Sequence, residues 1–238
     1  DNAGGRFGIN ATTGVVTVAN GTLLDRENAA SHNVTVRATS ADGSTADAVF
    51  AITINDVNEF SVTSPADTDG TVNAVNENAA NGTAVGITVA ASDADATTNT
   101  VTYSLTDNAG GRFAIHASTG VVTVLDGTLL DREAAASHNI TVRATSADGS
   151  TADTVLTITI NDVNEFAVGA VTDTNAAANT VAEDATIGTA VGITGFASDA
   201  DATTNTISYT LDDNASGKFA INSVTGVVTV AGTLDYET

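Results

Sequence analysis

The sequence contains no cysteine, methionine or tryptophan, a single proline, and only seven basic residues among 238. Each shortage excludes something. Without cysteine there is no disulfide framework and no thiolate metal site, although the absence leaves the cellular compartment open. Seven Lys and Arg against 29 Asp and Glu, a net charge of −22, leave no clustered positive surface for nucleic acid or an anionic membrane. Metal cations and cationic surfaces remain as electrostatic partners. No apolar run approaches the roughly 18 residues of a membrane span, and no basic-then-apolar leader opens the chain. This segment is therefore not expected to insert into a membrane, and the missing initial Met suggests a piece of something longer. A hydrophobic fraction of 42% is nevertheless too high for a disordered acidic tail.

What the chain has instead is repetition. "DNAGGRF" begins at Asp1 and again at Asp107, and "DNASGKF" begins at Asp213, a spacing of 106 residues each time. Residues 1–60 and 107–166 differ at ten positions. A period near 100 residues is the size of a domain with its own core, whereas solenoid units run shorter. The expected organisation is the back part of one repeat (1–60), one complete repeat (61–166) and the front part of a third (167–238). The flanking pieces would then present open strand edges prone to pairing with other chains.

Inside the complete repeat the pattern reads as short strands. "TAVGITVAAS" (83–92), "TVTYSL" (100–105), "RFAIH" (112–116), "GVVTVL" (120–125), "NITVRAT" (139–145) and "TVLTITI" (154–160) are rich in Val, Ile and Thr and alternate in polarity. Asp148-Gly149 is a hairpin signal between the last two. No stretch sustains a 3.6-residue apolar period, so little helix is expected. The expected core is Val85, Ile87, Val101, Tyr103, Leu105, Phe113, Ile115, Val122, Val124, Ile140, Val142, Val155, Ile158 and Ile160.

The carboxylates cluster outside these runs: Glu77, Asp93 and Asp95, Asp131 and Glu133, the turn residue Asp148, then Asp162 and Glu165. Most recur in the third segment as Glu183, Asp199, Asp201, Asp235 and Glu237. A solvated acidic surface accounts for any one of these acids taken alone. The ordered set, at strand ends and loops, is what a hard cation such as calcium needs, with about six to eight oxygen ligands drawn from several loops. With only oxygen ligands on offer, zinc and copper fit poorly.

Taken together, "FAIHASTGVVTV" (113–124), "LDRE" (130–133), the "DAD" pair ahead of "TVTYSL", "NENAANGTAVG" (76–86) and "NDVNE" (161–165) resemble tandem cadherin repeats in the form of the bacterial cadherin-like domains of a large surface or secreted adhesin. The resemblance implies an all-β fold of tandem Greek-key, seven-stranded β-sandwiches. It also implies calcium shared between the base of one repeat, the linker and the top of the next. On that pattern the first junction would use Asp25, Glu27, Asp56, Asn58, Glu59, Asp93, Asp95 and Asn99. The second would use Glu77, Asp131, Glu133, Asp162, Asn164, Glu165, Asp199, Asp201 and a carbonyl near Asn205. Seven carboxylates at the second junction would repel one another unless divalent ions neutralised them. The sequence departs from the family in three respects. Ser40 and Ser146 stand where the family usually has an Asp, with Asp42 and Asp148 two residues later. Phe60 and Phe166 replace the Asn that follows the linker acid, and the nearby Pro is missing.

The implied function is an extracellular or cell-surface adhesion and spacer array, part of a larger secreted protein, stiffened by calcium bound at roughly 10⁻⁴ to 10⁻³ M as in extracellular modules. Like repeats or surface glycans are the expected partners beside calcium. The alternative is an accessory or carbohydrate-binding module of a secreted polysaccharide-degrading protein, which an exposed aromatic row on one sandwich face would favour. No enzyme is expected. Paired acids such as Asp131 and Glu133 could serve glycoside hydrolysis, but a catalytic pair copied into every repeat without a sugar platform argues against it. His32 and His138 share one repeat position at the mouth of a strand, which suits turn capping.

Overall fold

The computed structural model describes residues 1–237. Strands dominate, and among the described residues the helical pieces are two single 3₁₀ turns, Gly21–Leu23 and Gly127–Leu129. Residues 1–60 supply β1 (Phe7–Ile9), β2 (Val16–Val18), β3 (Ser31–Thr39) and β4 (Thr45–Thr53). The middle repeat supplies β5 (Ala66–Asp67), β6 (Ala74–Asn76), β7 (Ala84–Ala90), β8 (Val101–Asp107), β9 (Phe113–Ile115), β10 (Val121–Val124), β11 (Ser137–Ser146) and β12 (Thr151–Asn161). Beyond it lie β13 (Thr172–Asp173), β14 (Ala190–Phe196), β15 (Phe219–Ile221) and β16 (Val227–Val230).

The middle repeat forms two four-stranded sheets, β5-β7-β10-β9 and β6-β12-β11-β8. This is the β-sandwich that the alternating apolar pattern implies. Eight stretches appear where seven strands are expected, because the first strand switches sheets. Its first part, β5, runs antiparallel to β7, and its second part, β6, runs parallel to β12. Between them Asp67 and Asp69 accept bonds from their own backbone two residues on, at 3.0 Å each, breaking the extended run into turns.

Contacts divide the chain into two compact units. The first holds Asp1–Asn73, Ala80–Asp126 and Asn139–Ile158; the second holds Ala74–Ala79, Gly127–His138 and the residues from Thr159 on. The first unit buries Val85, Ile87, Val89, Phe113, Val122, Val124, Ile140, Val142, Ala144 and Ile158. Each such Val, Ile or Phe contributes about 1.5–3 kcal/mol relative to exposure. Val155 corrects the expected core: it is 61% exposed. Alternation along β12 turns residues 151, 153, 155, 157 and 159 outward, and Leu156 takes the inward place.

The second unit buries Val75, Leu130, Ile160, Val191, Val228 and Val230. Its sheet β13-β14-β16-β15 leaves Val181, Val191, Ile193, Leu211, Phe219 and Val228 lining an open groove of about 750 Å³. Residues 206–211, which repeat the sequence positions of β8, form no strand. In the middle repeat β8 is held by pairing with β11, and the second unit has no counterpart of that hairpin among the described residues.

Two glycines place the acidic loops. Gly149 adopts φ +94° in the β11–β12 turn, a conformation that L side chains avoid. At Gly127 a Cβ would lie 1.8 Å from the carbonyl oxygen of Ala79, so only glycine lets the 127–133 loop lie against residues 77–79.

Candidate metal centre

In the first unit, the acidic site is assembled around Asp95. Its backbone N–H donates to Asp93 Oδ1 at 3.2 Å, and Asn99 Nδ2 donates to its carbonyl at 2.7 Å, so the short acids and amides shape their own loop. Asp95 Oδ1 then accepts the backbone N–H groups of Glu59 and Phe60 at 3.1 and 3.3 Å, seating the linker. Glu27 accepts from Ala96 N at 2.9 Å. Asp56 Oδ2 accepts from Thr97 N at 2.9 Å and from the Thr97 hydroxyl.

The second unit repeats this geometry. Asp201 Oδ1 accepts from Glu165 N and Phe166 N at 3.1 and 3.2 Å, Glu133 from Ala202 N at 2.7 Å, and Asp162 from Thr203 N at 2.9 Å. Here Glu77 joins as well. It is 2% exposed, and its two oxygens accept Arg132 N and Val163 N at 2.6 Å each, tying the 127–133 loop to the linker.

Ligand atoms lying within 4.8 Å of one another define the groups Glu27, Asp56, Glu59 and Asp93, Asp95, Asp148 in the first unit. In the second they define Glu77, Glu133, Glu165, then Glu133, Asp162, Asp201, and a further trio Glu183, Asp235, Glu237. Among the residues expected from sequence, Asp25, Asp131 and Asp199 stand outside these groups. Asp25 and Asp131 accept from Asn28 N at 2.9 Å and Ala134 N at 2.7 Å within their own turns, and Asp199 holds Asp201 N. Asn58 donates to Asp148 Oδ2 at 2.9 Å, Asn164 to the Phe166 carbonyl at 3.4 Å, and Asn205 to the Asp201 carbonyl at 2.8 Å. Sequence reasoning set Asp148 aside as a turn former. The signal available was its carboxylate two residues beyond Ser146, but only the fold shows that the turn reaches the Asp93 loop.

Crowding shows in the ionisation. Glu59 and Glu165 are held above the usual carboxylate range, first by desolvation and then by neighbouring negative charge, from Glu27 at Glu59 and from Glu77 and Glu133 at Glu165. Desolvation raises Glu133 too. Asp56 and Asp162 are lowered, chiefly by the hydroxyls of Thr97 and Thr203. Asp56 Oδ1, Asp93 Oδ2, Asp95 Oδ2, Asp162 Oδ1 and Asp201 Oδ2 are buried with no hydrogen-bond partner. Buried, unpartnered carboxylate oxygens are costly unless a cation faces them. An all-oxygen set of this kind suits calcium.

A family profile for the cadherin domain matches residues 71–161. The chain is an array of cadherin repeats. It is 33% identical to human protocadherin Fat 1 over 98% of its length, covering 5% of that protein. It is 34% identical to mouse cadherin EGF LAG seven-pass G-type receptor 2 over 97% of its length, covering 8% of that protein. The cadherin array here thus spans a small fraction of these relatives. Among solved structures, mouse cadherin-23 EC22-24 aligns with 98% of this chain and 74% of its own at a TM-score of 0.72 and 26% identity. Human CDH23 EC21-23 aligns at 0.74 and 29% over 98% of this chain and 73% of its own. These relatives are animal proteins, so they support the cadherin repeat and not the bacterial form.

Proposed function

We propose that this chain is a calcium-stiffened segment of an extracellular adhesion array, with segments 1–60, 61–166 and 167–238 as successive repeats. The observation that carries the reading is the set of buried, partnerless carboxylate oxygens, of which those of Asp56 and Asp95 at the first linker recur at the second on the equivalent Asp162 and Asp201. At the first junction Glu27, Asp56, Glu59, Asp93 and Asp95 would hold the ions; at the second, Glu77, Glu133, Asp162, Glu165 and Asp201. Asp25, Asp131, Asp199 and the amides and carbonyls near Asn58, Asn99, Asn164 and Asn205 would complete the coordination. Calcium would supply positive charge that lets the acids of linker, loop and strand end occupy one place. The residues themselves do the positioning: Asp95 and Asp201 grip the linker amides, and Glu77 clamps the linker to the 127–133 loop. Without the ion the carboxylates repel and the junction loosens, so the linker is the element that calcium switches.

Adhesion by such an array, and its place outside the cell or at its surface, follow from kinship with the cadherin relatives. Like repeats are the favoured partners. Of the exposed aromatics, Phe50 lies in β4 and Phe196 in β14, while Phe60, Phe166 and Tyr236 lie outside the strands, so they do not form the row on one sheet face that the carbohydrate-binding alternative needs. Small-angle scattering across a calcium titration tests the reading. The maximum dimension should rise and the flexibility fall between chelator and millimolar calcium; a profile that does not change with calcium would sink it.

A further inference from the structure

Two of the three tyrosines hold the strand ends that lead into the acidic loops. The hydroxyl of Tyr103, in β8, accepts the backbone N–H of Ala91 at 2.9 Å, and that of Tyr209 accepts the N–H of Ala197 at 3.1 Å. Ala91 lies one residue past β7, two before Asp93 and four before Asp95; Ala197 stands the same way to β14, Asp199 and Asp201. The bond does not depend on strand pairing. β8 is paired with β11, whereas residues 206–211 form no strand, and the hydroxyl makes the same contact in both. Each tyrosine is fixed in turn: Tyr103 N donates to the Ala117 carbonyl at 2.9 Å, in the β9–β10 turn, and Tyr209 N to the Ser223 carbonyl at 3.0 Å, in the β15–β16 turn. Those turns also grip the strand. Val89 N donates to the Gly120 carbonyl at 3.0 Å and Gly195 N to the Gly226 carbonyl at 2.9 Å, and a Cβ at Gly120 or Gly226 would lie 2.2 or 2.1 Å from the facing carbonyl oxygen.

We infer that Tyr103 and Tyr209 are positioning residues for the cation loops, each hydroxyl fixing the point where the strand leaves its sheet and so the place of the two aspartates that follow. This rests on the reading of the junctions as calcium sites. Neither tyrosine belongs to the acidic groups; each acts through the backbone. Asp95 and Asp201 present one oxygen to the linker amides and keep the other buried and unpartnered, and Asp93 and Asp199 brace them by accepting their N–H groups at 3.2 Å. A strand end that shifts carries all four carboxylates with it. Packing alone asks for a ring, which phenylalanine supplies, whereas only the phenol reaches the amide. Without it the N–H of Ala197, a residue 6% exposed, loses its acceptor.

Hydrogen exchange across a calcium titration of the full chain tests this in the unmodified protein, Tyr103→Phe and Tyr209→Phe. Protection of the two linkers is read on peptides that run past Phe60 and Phe166, where the copies differ in sequence. Each linker then gives its own calcium concentration of half-protection. Tyr103→Phe should raise that of the first linker by about three- to tenfold, the scale of one neutral hydrogen bond, and leave the second unchanged; Tyr209→Phe should do the reverse. A tyrosine that serves stability alone would speed exchange in its own sheet in chelator and leave both midpoints in place. That result overturns the inference while the calcium reading stands. Equal shifts at both linkers in either variant overturn it as well, because the coupling would not be local. If calcium protects neither linker in the unmodified chain, the inference falls together with the reading on which it rests.

Discussion

In the first unit the linker Asp56-Val57-Asn58-Glu59 meets Glu27, Asp93, Asp95 and Asp148; in the second, Asp162-Val163-Asn164-Glu165 meets Glu77, Glu133 and Asp201. The linkers are identical in sequence, and so are the bonds from their backbones to Asp95 and Asp201. What differs is the closing element. The second cluster is closed by a buried strand-end acid, Glu77, that holds two backbone amides. The first is closed, on its other side, by the Asp148 hairpin turn. By the 106-residue period the counterpart of Glu77 at the first linker and that of Asp148 at the second fall outside residues 1–238, so each closure can be broken here by itself.

The largest difference should come from Glu77→Ala. Removing this side chain strips the acceptor from Arg132 N and Val163 N together, and a buried amide left unpaired costs about 1–3 kcal/mol. The second unit should lose about 2–4 kcal/mol in chelator by that reasoning, read by hydrogen exchange at residues 159–205, with protection in the first unit unchanged. Calcium uptake should fall only at the second junction. Equal loss in both units would mean that the two closures are not independent.

Asp95→Asn and Asp201→Asn, made separately, sharpen the comparison at the shared frame. Each keeps the Oδ1 acceptor for the linker amides and replaces the unpartnered oxygen by a neutral donor. Terbium luminescence should show at least a tenfold weaker site in each case. Each should affect one ion position: Asp95 in the group it forms with Asp93 and Asp148, and Asp201 in the group it forms with Glu133 and Asp162.

Much of this was legible from residue order. The 106-residue period, the strands from 84 to 160 and the linker acids all show in the pattern, because strand alternation and turn chemistry are local. The split first strand was not, since β5 and β6 are two and three residues long and depend on partners far along the chain. Val155 misled because a Val in an alternating run marks a strand without saying which face it takes. Asp148 was hidden for a related reason: its own turn explains it fully, and only the tertiary placement of Ser146 beside Thr98 brings the turn over the Asp93 loop.

The smallest effect, and the finest test of the contrast, is the dependence on pH. Glu59, Glu133 and Glu165 have folded-state values above their unfolded value of about 4.3. In chelator their stabilising contribution is complete below that value and is lost as pH rises through the folded one. Asp56 and Asp162 run the opposite way: their contribution is present above about 3.9 and is lost as pH falls through their lowered folded values. Chelated protein should therefore gain stability on acidification from pH 7 towards about 4 and lose it below. In millimolar calcium the same acidification should cost stability, because protons compete with the ion for the raised glutamates. The second unit, with two raised glutamates against one, should show the larger gain in chelator, and Glu165→Gln should reduce it to the level of the first. Melting curves across pH with and without calcium that ran parallel, rather than converging on acidification, would show that these acids do not share a common cation.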